Sequence, residues 1–287
     1  MALRVVVSGA SSGLGLALVQ HYLQQGAVIA AIARRAELLQ ALSEQFPHQV
    51  HCYPLDVRDA SALQAAAQDF MNRVGVPDIV IANAGVSRGT LTEYAEDLHA
   101  FQQVMDINVL GMAKTFQPFI TPMREAGTGT LVGISSVAGF RGLPGSEAYS
   151  ASKAAATSYL ESLRVELRST GIKVVTICPG YIRTPMTDVN TYPMPFIIDA
   201  DDAARRFARV IEKRKSFAVV PWQMGLVGKL LKLLPNWLYD LAFSKAPHKP
   251  RITQSKATSL TGFHPFPDGE NVVSNDIVNH LRDEEDV

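Results

Sequence analysis

The 287-residue sequence predicts an α/β protein whose parallel sheet is covered by helices on both faces. Three observations support this fold class. Short β-branched apolar runs alternate with helical patterns up to about residue 220. The composition, with 47% hydrophobic and 19% charged residues, is that of a globular chain. Each polar or glycine-rich motif follows a predicted strand or lies in the next helix, which is where open α/β sheets bind ligands.

Charge and cysteine usage narrow the class of protein. The formal net charge is zero, so no nucleic-acid partner is expected. No run of about 20 apolar residues predicts a membrane span, and the first residues lack the layout of a signal peptide. Cys52 and Cys178 each lie in a strand-like run, which indicates reduced thiols and a cytoplasmic protein. The seven histidines show no metal-ligand spacing, so no metal is expected.

The first strand, Val5 to Val7, runs into a glycine-rich turn and a helix of apolar residues at helical spacing. The turn reads Ser8-Gly9-Ala10-Ser11-Ser12-Gly13-Leu14-Gly15. Its glycines allow close approach of the backbone, and the helix N-terminus offers free N–H groups to a pyrophosphate. The spacing is G-x-x-x-G-x-G, not the standard G-x-G-x-x-G. A plain glycine-rich turn is the alternative, but the flanking strand and helix favour phosphate binding.

The second strand, Val28 to Ala33, ends in Arg34 and Arg35. An NAD site usually has an acidic residue here, about 20 residues after the glycines, to bind the ribose 2′-OH. Ala33 stands where that acid is expected, and guanidinium groups pair well with phosphate. The sequence therefore favours NADP(H). The alternative is two solvated arginines at the start of the next helix.

Two further strand ends carry candidate cofactor residues. A helix over 36–45 and a strand over 50–53 precede Asp56 and Val57, and Asp56 could meet an adenine amino group or cap the helix over 60–74. The strand Ile79 to Ala82 ends in Asn83-Ala84-Gly85, where small residues let backbone pass close to a cofactor. A structural turn is the alternative for that tripeptide.

One long helix is predicted over residues 98–118, with Asn108 inside it. Asparagine is a mediocre helix former, so its position next to Gly111 indicates a kink or a specific hydrogen bond. By itself this residue is more readily explained as a satisfied structural asparagine than as a catalytic one.

The strand Thr130 to Ile134 delivers Ser136, and a helix from Tyr149 to Thr170 follows a loop. Tyr149 and Lys153 are one turn apart on the same helical face. An ammonium about 4 Å from a phenol is worth about 4 kcal/mol at a dielectric of about 20, before its own desolvation. Tyr149 could thus be tuned as a general acid or base, with Ser136 next to a carbonyl oxygen. The alternative is an ordinary helix pair.

After a sixth strand, Lys173 to Cys178, the turn from Pro179 to Thr184 lies at the same sheet edge. Apolar residues and two prolines in 186–198 predict a loop that could serve as a lid. An amphipathic stretch over 222–243 should be split at Pro235, and Lys245, His248, Lys249 and Arg251 follow it.

Three interpretations of residues 222–251 stay open: a cap over the pocket or a subunit contact, a membrane-surface helix with a following basic patch, or a structural appendage. The predicted organisation is a nucleotide-binding domain over 1–221, this segment, and a polar, loosely ordered tail over 252–287 with a short helix at 276–282.

These motifs together resemble the short-chain dehydrogenase/reductase family over about residues 3 to 220. The resemblance rests on the glycine turn, Asn83-Ala84-Gly85, Asn108, Ser136, Tyr149, Lys153 and Pro179-Gly180. It implies a Rossmann-like, doubly wound sheet of seven strands in an α/β/α arrangement, here with a C-terminal helical extension. The one departure is Ser8 where threonine is usual, and it keeps the hydroxyl.

The resemblance also implies residue roles. Tyr149 would protonate the carbonyl oxygen, Lys153 would bind the nicotinamide ribose and lower the tyrosine pKa, Ser136 would orient the carbonyl, and Asn108 would hold a water. The implied cofactor residues are Gly9, Ser11, Ser12, Gly13, Leu14, Gly15, Arg34, Arg35, Asp56, Val57, Asn83, Ala84, Gly85, Tyr149, Lys153, Pro179, Gly180, Ile182 and Thr184.

The expected activity is NADP(H)-dependent interconversion of a ketone or aldehyde and its alcohol, on an apolar lipid-, retinoid- or steroid-like substrate. The expected protein is a cytoplasmic homo-oligomer, dimer or tetramer, with peripheral membrane contact through 222–251 as an option. A non-catalytic NADP(H)-sensing protein on the same fold is the alternative. An epimerase or dehydratase would need a larger substrate domain than the residues after the seventh strand provide.

Overall fold

The computed structural model describes residues 2–251, so the predicted polar tail and its short helix lie outside the described residues. Its strands are β1 (Arg4–Ser8), β2 (Val28–Ala33), β3 (Val50–Pro54), β4 (Ile79–Ala82), β5 (Gly129–Ile134), β6 (Ile172–Pro179), β7 (Ile182–Arg183), β8 (Ile198–Asp199) and β9 (Phe217–Val220). Seven of them form one parallel sheet in the order β3-β2-β1-β4-β5-β6-β9, and β7 pairs with β8 separately. The predicted seven-stranded, doubly wound α/β fold is confirmed.

Helices cover both faces of this sheet. They are α1 (Gly13–Gln24), α2 (Ala36–Gln45), α3 (Ala60–Val74), α4 (Asp97–Met105), α5 (Gly111–Glu125), α6 (Glu147–Glu166), α7 (Pro185–Asp188), α8 (Ala200–Glu212), α9 (Trp222–Leu233) and α10 (Asn236–Phe243). Side chains alternate along each strand, so Val5 and Val7 join one buried cluster while Val6 joins the other. Helices α1 and α8 pack on the first face, and α3, α5 and α6 on the second.

The long helix predicted over 98–118 is interrupted at Asn108, where the sequence predicted a kink or a specific hydrogen bond. A π-helical turn, Asp106–Leu110, separates α4 from α5 and carries Asn108 at its centre. Single π-turns inside helices are frequent at functional sites. The predicted specific hydrogen bond also exists, because the Asn108 amide binds both backbone groups of Val86.

Two boundaries differ from the sequence prediction. Helix α6 starts two residues before Tyr149 and ends at Glu166 instead of Thr170. The predicted loop over 186–198 is not entirely irregular, because Thr184 and Thr187 form a reciprocal capping box that starts the four-residue helix α7 with Pro185 in its first turn. Ile198 then pairs with Ile182 in the small two-stranded sheet.

The segment after β9 forms two helices that separate at Pro235, as predicted. The chain then returns toward the sheet, and Arg251 forms an isolated bridge with Gly89. A basic patch over 245–251 was one expectation, and it is wrong for two of its members: Lys249 is buried, and Arg251 pairs with Asp97. Within residues 2–251 no helix combines the length and apolarity needed to cross a bilayer.

Candidate active site

One cleft at the carboxyl edge of the sheet collects all but one of the predicted site residues. The predicted residues that line it are Gly9, Ser11, Ser12, Gly13, Leu14, Gly15, Arg34, Arg35, Asp56, Val57, Asn83, Ala84, Gly85, Ser136, Tyr149, Lys153, Pro179, Gly180, Ile182 and Thr184. Asn108 lies behind this lining, fully buried. The cleft is at the point where strand order reverses between β1 and β4, which is the usual ligand position in such sheets.

The glycine turn after β1 is shaped for a phosphate group. Gly9 and Gly13 have φ values of +71° and +53°, in the left-handed region that favours glycine. A side chain at Gly15 would overlap the carbonyl group of Gly9. Helix α1 then begins after Ser12, whose hydroxyl makes no capping hydrogen bond. The first N–H groups of α1 therefore have no side-chain cap, and the turn fits a pyrophosphate.

The ends of β1 and β4 are joined beside this turn. The Ser8 hydroxyl accepts hydrogen bonds of 3.2 Å from the backbone N–H groups of both Asn83 and Ala84. The Asn83 side chain donates back to the Ser8 carbonyl oxygen at 3.0 Å. The Ser8 hydroxyl therefore accepts the hydrogen bonds that a threonine hydroxyl at this position could also accept. A Cβ at Gly85 would lie 3.6 Å from the Lys153 ammonium, so the backbone of this tripeptide passes directly by the end of the cleft that contains Lys153.

Both arginines after β2 are exposed and line the cleft. A guanidinium nitrogen of Arg35 donates to the Ser11 hydroxyl at 3.1 Å, which brings this cation to the edge of the phosphate turn. Within residues 2–251 neither Arg34 nor Arg35 forms a salt bridge with a carboxylate. Their charge is therefore available to an anionic ligand.

Asp56 lies in the cleft but is already engaged by Arg58. The guanidinium binds both carboxylate oxygens, at 3.1 and 2.8 Å, and these bonds lower the pKa of Asp56. The helix that follows is capped by Asp59, which accepts from the Ala62 N–H at 3.0 Å. The alternative that Asp56 caps α3 is therefore wrong, and the adenine alternative remains.

Tyr149 and Lys153 lie on one face of α6, with the ammonium 5.7 Å from the centre of the phenol ring. The ammonium donates to the Ile134 carbonyl oxygen at 2.8 Å, and burial lowers the pKa of Lys153 to about 8. Burial raises the pKa of Tyr149, and the nearby Ser136 hydroxyl opposes that shift without cancelling it. The net direction in the protein alone is upward because desolvation of the phenolate dominates, and the lowering expected from Lys153 stays a prediction.

The two serines after β5 have different tasks. The Ser135 hydroxyl donates to the Lys153 carbonyl oxygen at 2.9 Å and contacts Thr157, which fixes α6 to the sheet. Ser136 caps a short 3₁₀ turn by accepting from the Ala138 N–H at 3.1 Å. It stays within reach of Tyr149, so a hydroxyl, a phenol and an ammonium share one end of the cleft.

Behind these groups, the side chain of Asn108 joins two segments of the chain by hydrogen bonds. Its side-chain oxygen accepts from the Val86 N–H at 2.8 Å, and its amide nitrogen donates to the Val86 carbonyl at 2.9 Å and to the Ser152 hydroxyl at 3.0 Å. It thereby joins the end of β4 to α6, which carries the phenol and the ammonium.

Sequence reasoning missed several lining residues and one buried cation. The additional lining residues include Leu55, Val86, Ile107, Ile134, Pro185 and Thr187, most of them neighbours of predicted residues. Lys249 is only 7% exposed and donates to the Ser87 hydroxyl at 2.9 Å and to the Met186 carbonyl at 3.4 Å. Burial lowers its pKa to about 8. No local sequence signal could have placed this residue beside the loop that follows β4.

The fold, the phosphate turn and the cluster of hydroxyl, phenol and ammonium define a nucleotide-dependent oxidoreductase. The chain belongs to the short-chain dehydrogenase family, whose model matches residues 4–193, and this family binds a nicotinamide cofactor. An uncharacterized oxidoreductase of Myxococcus xanthus is 39% identical over 240 residues, covering 83% of this chain and 94% of the relative.

Solved structures give the same result. A short-chain dehydrogenase from Streptomyces avermitilis superposes with a TM-score of 0.72 at 28% identity, covering 85% of this chain and 98% of that one. The closed form of serine dehydrogenase complexed with NADP⁺ superposes with a TM-score of 0.68 at 26% identity, covering 72% and 88%.

Proposed function

We propose that this protein is an NADP(H)-dependent oxidoreductase that interconverts an apolar ketone or aldehyde and its alcohol. The observation that carries the proposal is that Ser136, Tyr149 and Lys153 meet at one end of a cleft. Its other end has a helix N-terminus without a side-chain cap and two guanidinium groups that form no salt bridge within residues 2–251. The nicotinamide cofactor supplies the hydride when it is bound.

In the reductive direction Tyr149 gives its proton to the carbonyl oxygen while the carbonyl carbon gains the hydride. The raised pKa of this buried phenol keeps it protonated, as an acid requires. Ser136 donates a hydrogen bond to the same oxygen and stabilises the negative charge that develops there. The Lys153 ammonium holds the ribose hydroxyls and stabilises the phenolate that remains. Asn108 keeps α6 in register with the end of β4 and would hold a water of the proton relay.

The remaining lining residues hold the cofactor. The turn from Gly9 to Gly15 binds the pyrophosphate through backbone N–H groups, and Arg34 and Arg35 bind the 2′-phosphate. The structurally similar serine dehydrogenase, which was solved in complex with NADP⁺, supports this choice of cofactor. Asp56 and Val57 form the adenine pocket. Residues Asn83-Ala84-Gly85 back the adenosine, and Pro179, Gly180, Ile182 and Thr184 flank the nicotinamide.

The side chains of the loop over 186–198 support an apolar substrate. Phe196 is 51% exposed although it is a large apolar residue, and Met186 is 37% exposed. The rings of Tyr181 and Tyr192 meet edge to face with centroids 6.5 Å apart, which places two aromatic rings next to this loop. An apolar chain or ring system on the substrate would cover such surface, whereas a sugar would leave it wet.

The test is NADPH oxidation with a panel of long-chain and cyclic ketones and aldehydes. At least one substrate should be reduced, and Tyr149→Phe should lower kcat by about 10²- to 10⁴-fold while NADPH still binds. Tyr159→Phe, on the same helix but outside the cleft lining, is the matched control and should stay within twofold. Full activity of Tyr149→Phe would refute the mechanism. NADPH binding without turnover across the whole panel would favour a sensor.

The cofactor preference has its own test. Arg34→Asp should weaken NADPH binding at least tenfold more than NADH binding, because it replaces a phosphate partner with a like charge. Arg168→Asp removes an arginine that is also exposed but lies just after the end of α6, outside the cleft lining, and it should change neither affinity. Equal losses for the two nucleotides would show that Arg34 does not touch a 2′-phosphate.

A further inference from the structure

The outer side of the last two helices is an open apolar surface, here termed the α9–α10 face. Six large apolar side chains on it are 59–81% exposed: Trp222, Leu226, Leu230, Leu233, Trp237 and Leu241. They fall within twenty consecutive residues, whereas other exposed apolar side chains are scattered over the described surface. So many large exposed apolar side chains on two successive helices of a folded protein indicate a binding surface.

The orientation of these helices is fixed by their inner side, so the exposure is not a sign of loose packing. Gly228 lies against the ring of Phe140 with no room for a side chain. The Arg141 guanidinium donates to the Leu231 and Leu234 carbonyl oxygens at 2.7 and 2.6 Å, which caps the end of α9. It also lies 4.1 Å from the centre of the Tyr239 ring in α10. Small and polar groups therefore dock inward, and tryptophan and leucine point outward.

The charges around the α9–α10 face are mainly positive. Exposed Lys229 and Lys232 alternate with its leucines, while Asp240 is the one acidic residue between 222 and 245. Lys232 borders a groove that also contains Ser216, the residue directly after the exposed turn Lys213-Arg214-Lys215. A tryptophan near the start of each helix, together with exposed leucines and lysines, is typical of segments that lie in a membrane interface.

A second copy of the chain is the other candidate occupant, and the charges disfavour it. A two-fold contact through this face would place the mainly positive surroundings of the face in one copy against those in the other. Anionic headgroups would instead neutralise them, at about 1 kcal/mol for each lysine.

We propose that the α9–α10 face docks the protein on an anionic phospholipid bilayer, with the two helices lying in the interface. The inference is independent of the reaction, and it goes beyond the proposed function by assigning a lipid surface as binding partner.

The chain offers an internal reporter for the test, because its only two tryptophans, Trp222 and Trp237, are both on this face. The full-length protein is titrated with vesicles of phosphatidylcholine containing phosphatidylglycerol, and with phosphatidylcholine vesicles alone. Tryptophan emission should shift to the blue and the protein should sediment with the anionic vesicles. Binding to the neutral vesicles should be much weaker, and high salt should weaken the anionic binding.

Variants separate the apolar and electrostatic parts. The triple variant L226S/L230S/L241S keeps both tryptophans and should bind at least about a hundredfold more weakly, because three large side chains no longer enter the apolar layer. The variant K229E/K232E should lose about tenfold or more on anionic vesicles and little on neutral ones. The double variant L38S/L98S changes two exposed leucines elsewhere and should bind as the native protein does. All three should keep the native melting temperature, since the replaced side chains are exposed.

Three results would overturn the proposal. One is no binding of the native protein to anionic vesicles. Another is unchanged binding of the triple variant. The third is a native dimer in light scattering that does not bind vesicles and that becomes a monomer only in the triple variant. That result would assign the face to a second copy.

Discussion

The part of α6 that carries Tyr149 and the C-terminal segment that returns to the sheet each bury one lysine, yet they do so in different ways. Lys153 is 4% exposed and Lys249 is 7% exposed, and burial lowers the pKa of each to about 8. Lys153 is held by a helix that packs against the central strands. Lys249 is held by a short extended segment whose position depends on the pairing of Arg251 with Asp97.

The comparison shows that two similarly buried ammonium groups can differ in function, because their neighbouring groups differ. In α6 the ammonium is next to a phenol and a hydroxyl, so its position relative to other reactive groups matters for chemistry. In the C-terminal segment the contacts of the ammonium are a serine hydroxyl and a backbone carbonyl, so it ties the segment to the loop after β4 and to α7. We expect replacement of the two lysines to differ most in its effect on turnover, and least in its effect on the pH dependence of stability.

The largest expected effect is on turnover. Lys153→Met should lower kcat/KM with NADPH and the best carbonyl substrate by about 10³-fold, because the phenolate and the ribose hydroxyls both lose their cation. Lys249→Met should change the same constant by less than about tenfold, because its ammonium touches no reacting group.

Unchanged melting temperatures of both variants would exclude unfolding as the cause of any loss of kcat/KM. An equal or greater loss for Lys249→Met would show that the C-terminal lysine belongs to the substrate site, and the distinction drawn above would fail.

The two regions also differ in how far the sequence predicted them. The cleft residues were predictable because each follows a strand or lies in the next helix, and in a parallel sheet all carboxyl ends lie at one edge. The limits of α2, α3 and β4 agree to the residue for the same reason, since strand and helix periods alternate cleanly. The direction of the Tyr149 pKa was not predictable, because desolvation depends on burial that no local pattern reports.

In the C-terminal segment only the helices and their break at Pro235 followed from the sequence. The pairing of Arg251 with Asp97 joins residues 154 positions apart, and the contact of Lys249 with Ser87 joins residues 162 apart. Contacts over such separations leave no periodic signal. The sequence therefore showed a run of basic residues, but not which of them turn inward.

The second expected effect is on stability, and it tests what holds the C-terminal segment. Asp97 is 5% exposed and accepts from Arg251 at 2.6 Å and from the Leu91 N–H at 2.9 Å. Arg251→Gln leaves this buried carboxylate without its cation and should lower the free energy of unfolding by about 3 kcal/mol. Urea unfolding at neutral pH measures the loss.

The control is Arg183→Gln. It breaks an ion pair of similar geometry with Asp199, but both side chains there are at least 65% exposed, and the expected loss is below about 1 kcal/mol. Equal losses for the two variants would mean that the C-terminal segment contributes little to holding the fold together, and the account of how Lys249 stays buried would have to be abandoned.

The smallest expected effect is on the pH dependence of stability. Lys249 has a folded pKa of about 8, below its unfolded value of about 10.4, so above pH 8 the unfolded chain binds more protons than the folded one. Stability should therefore rise with pH in this range, by about 1 kcal/mol between pH 7 and 9 for this residue. Lys153 adds a rise of the same sign. The thiol of Cys178 opposes it, because burial raises its pKa to about 11.

Comparison of the native protein with Lys249→Met isolates the one residue, because the other groups are common to both. The difference in the free energy of unfolding should grow in favour of the native protein as pH rises from 7 to 9, by about 1 kcal/mol. If the two curves stay parallel, the Lys249 ammonium is not desolvated in solution, which would mean that the C-terminal segment does not remain docked over Ser87. Among residues 2–251, Lys153 would then be the one lysine that the fold itself keeps out of water.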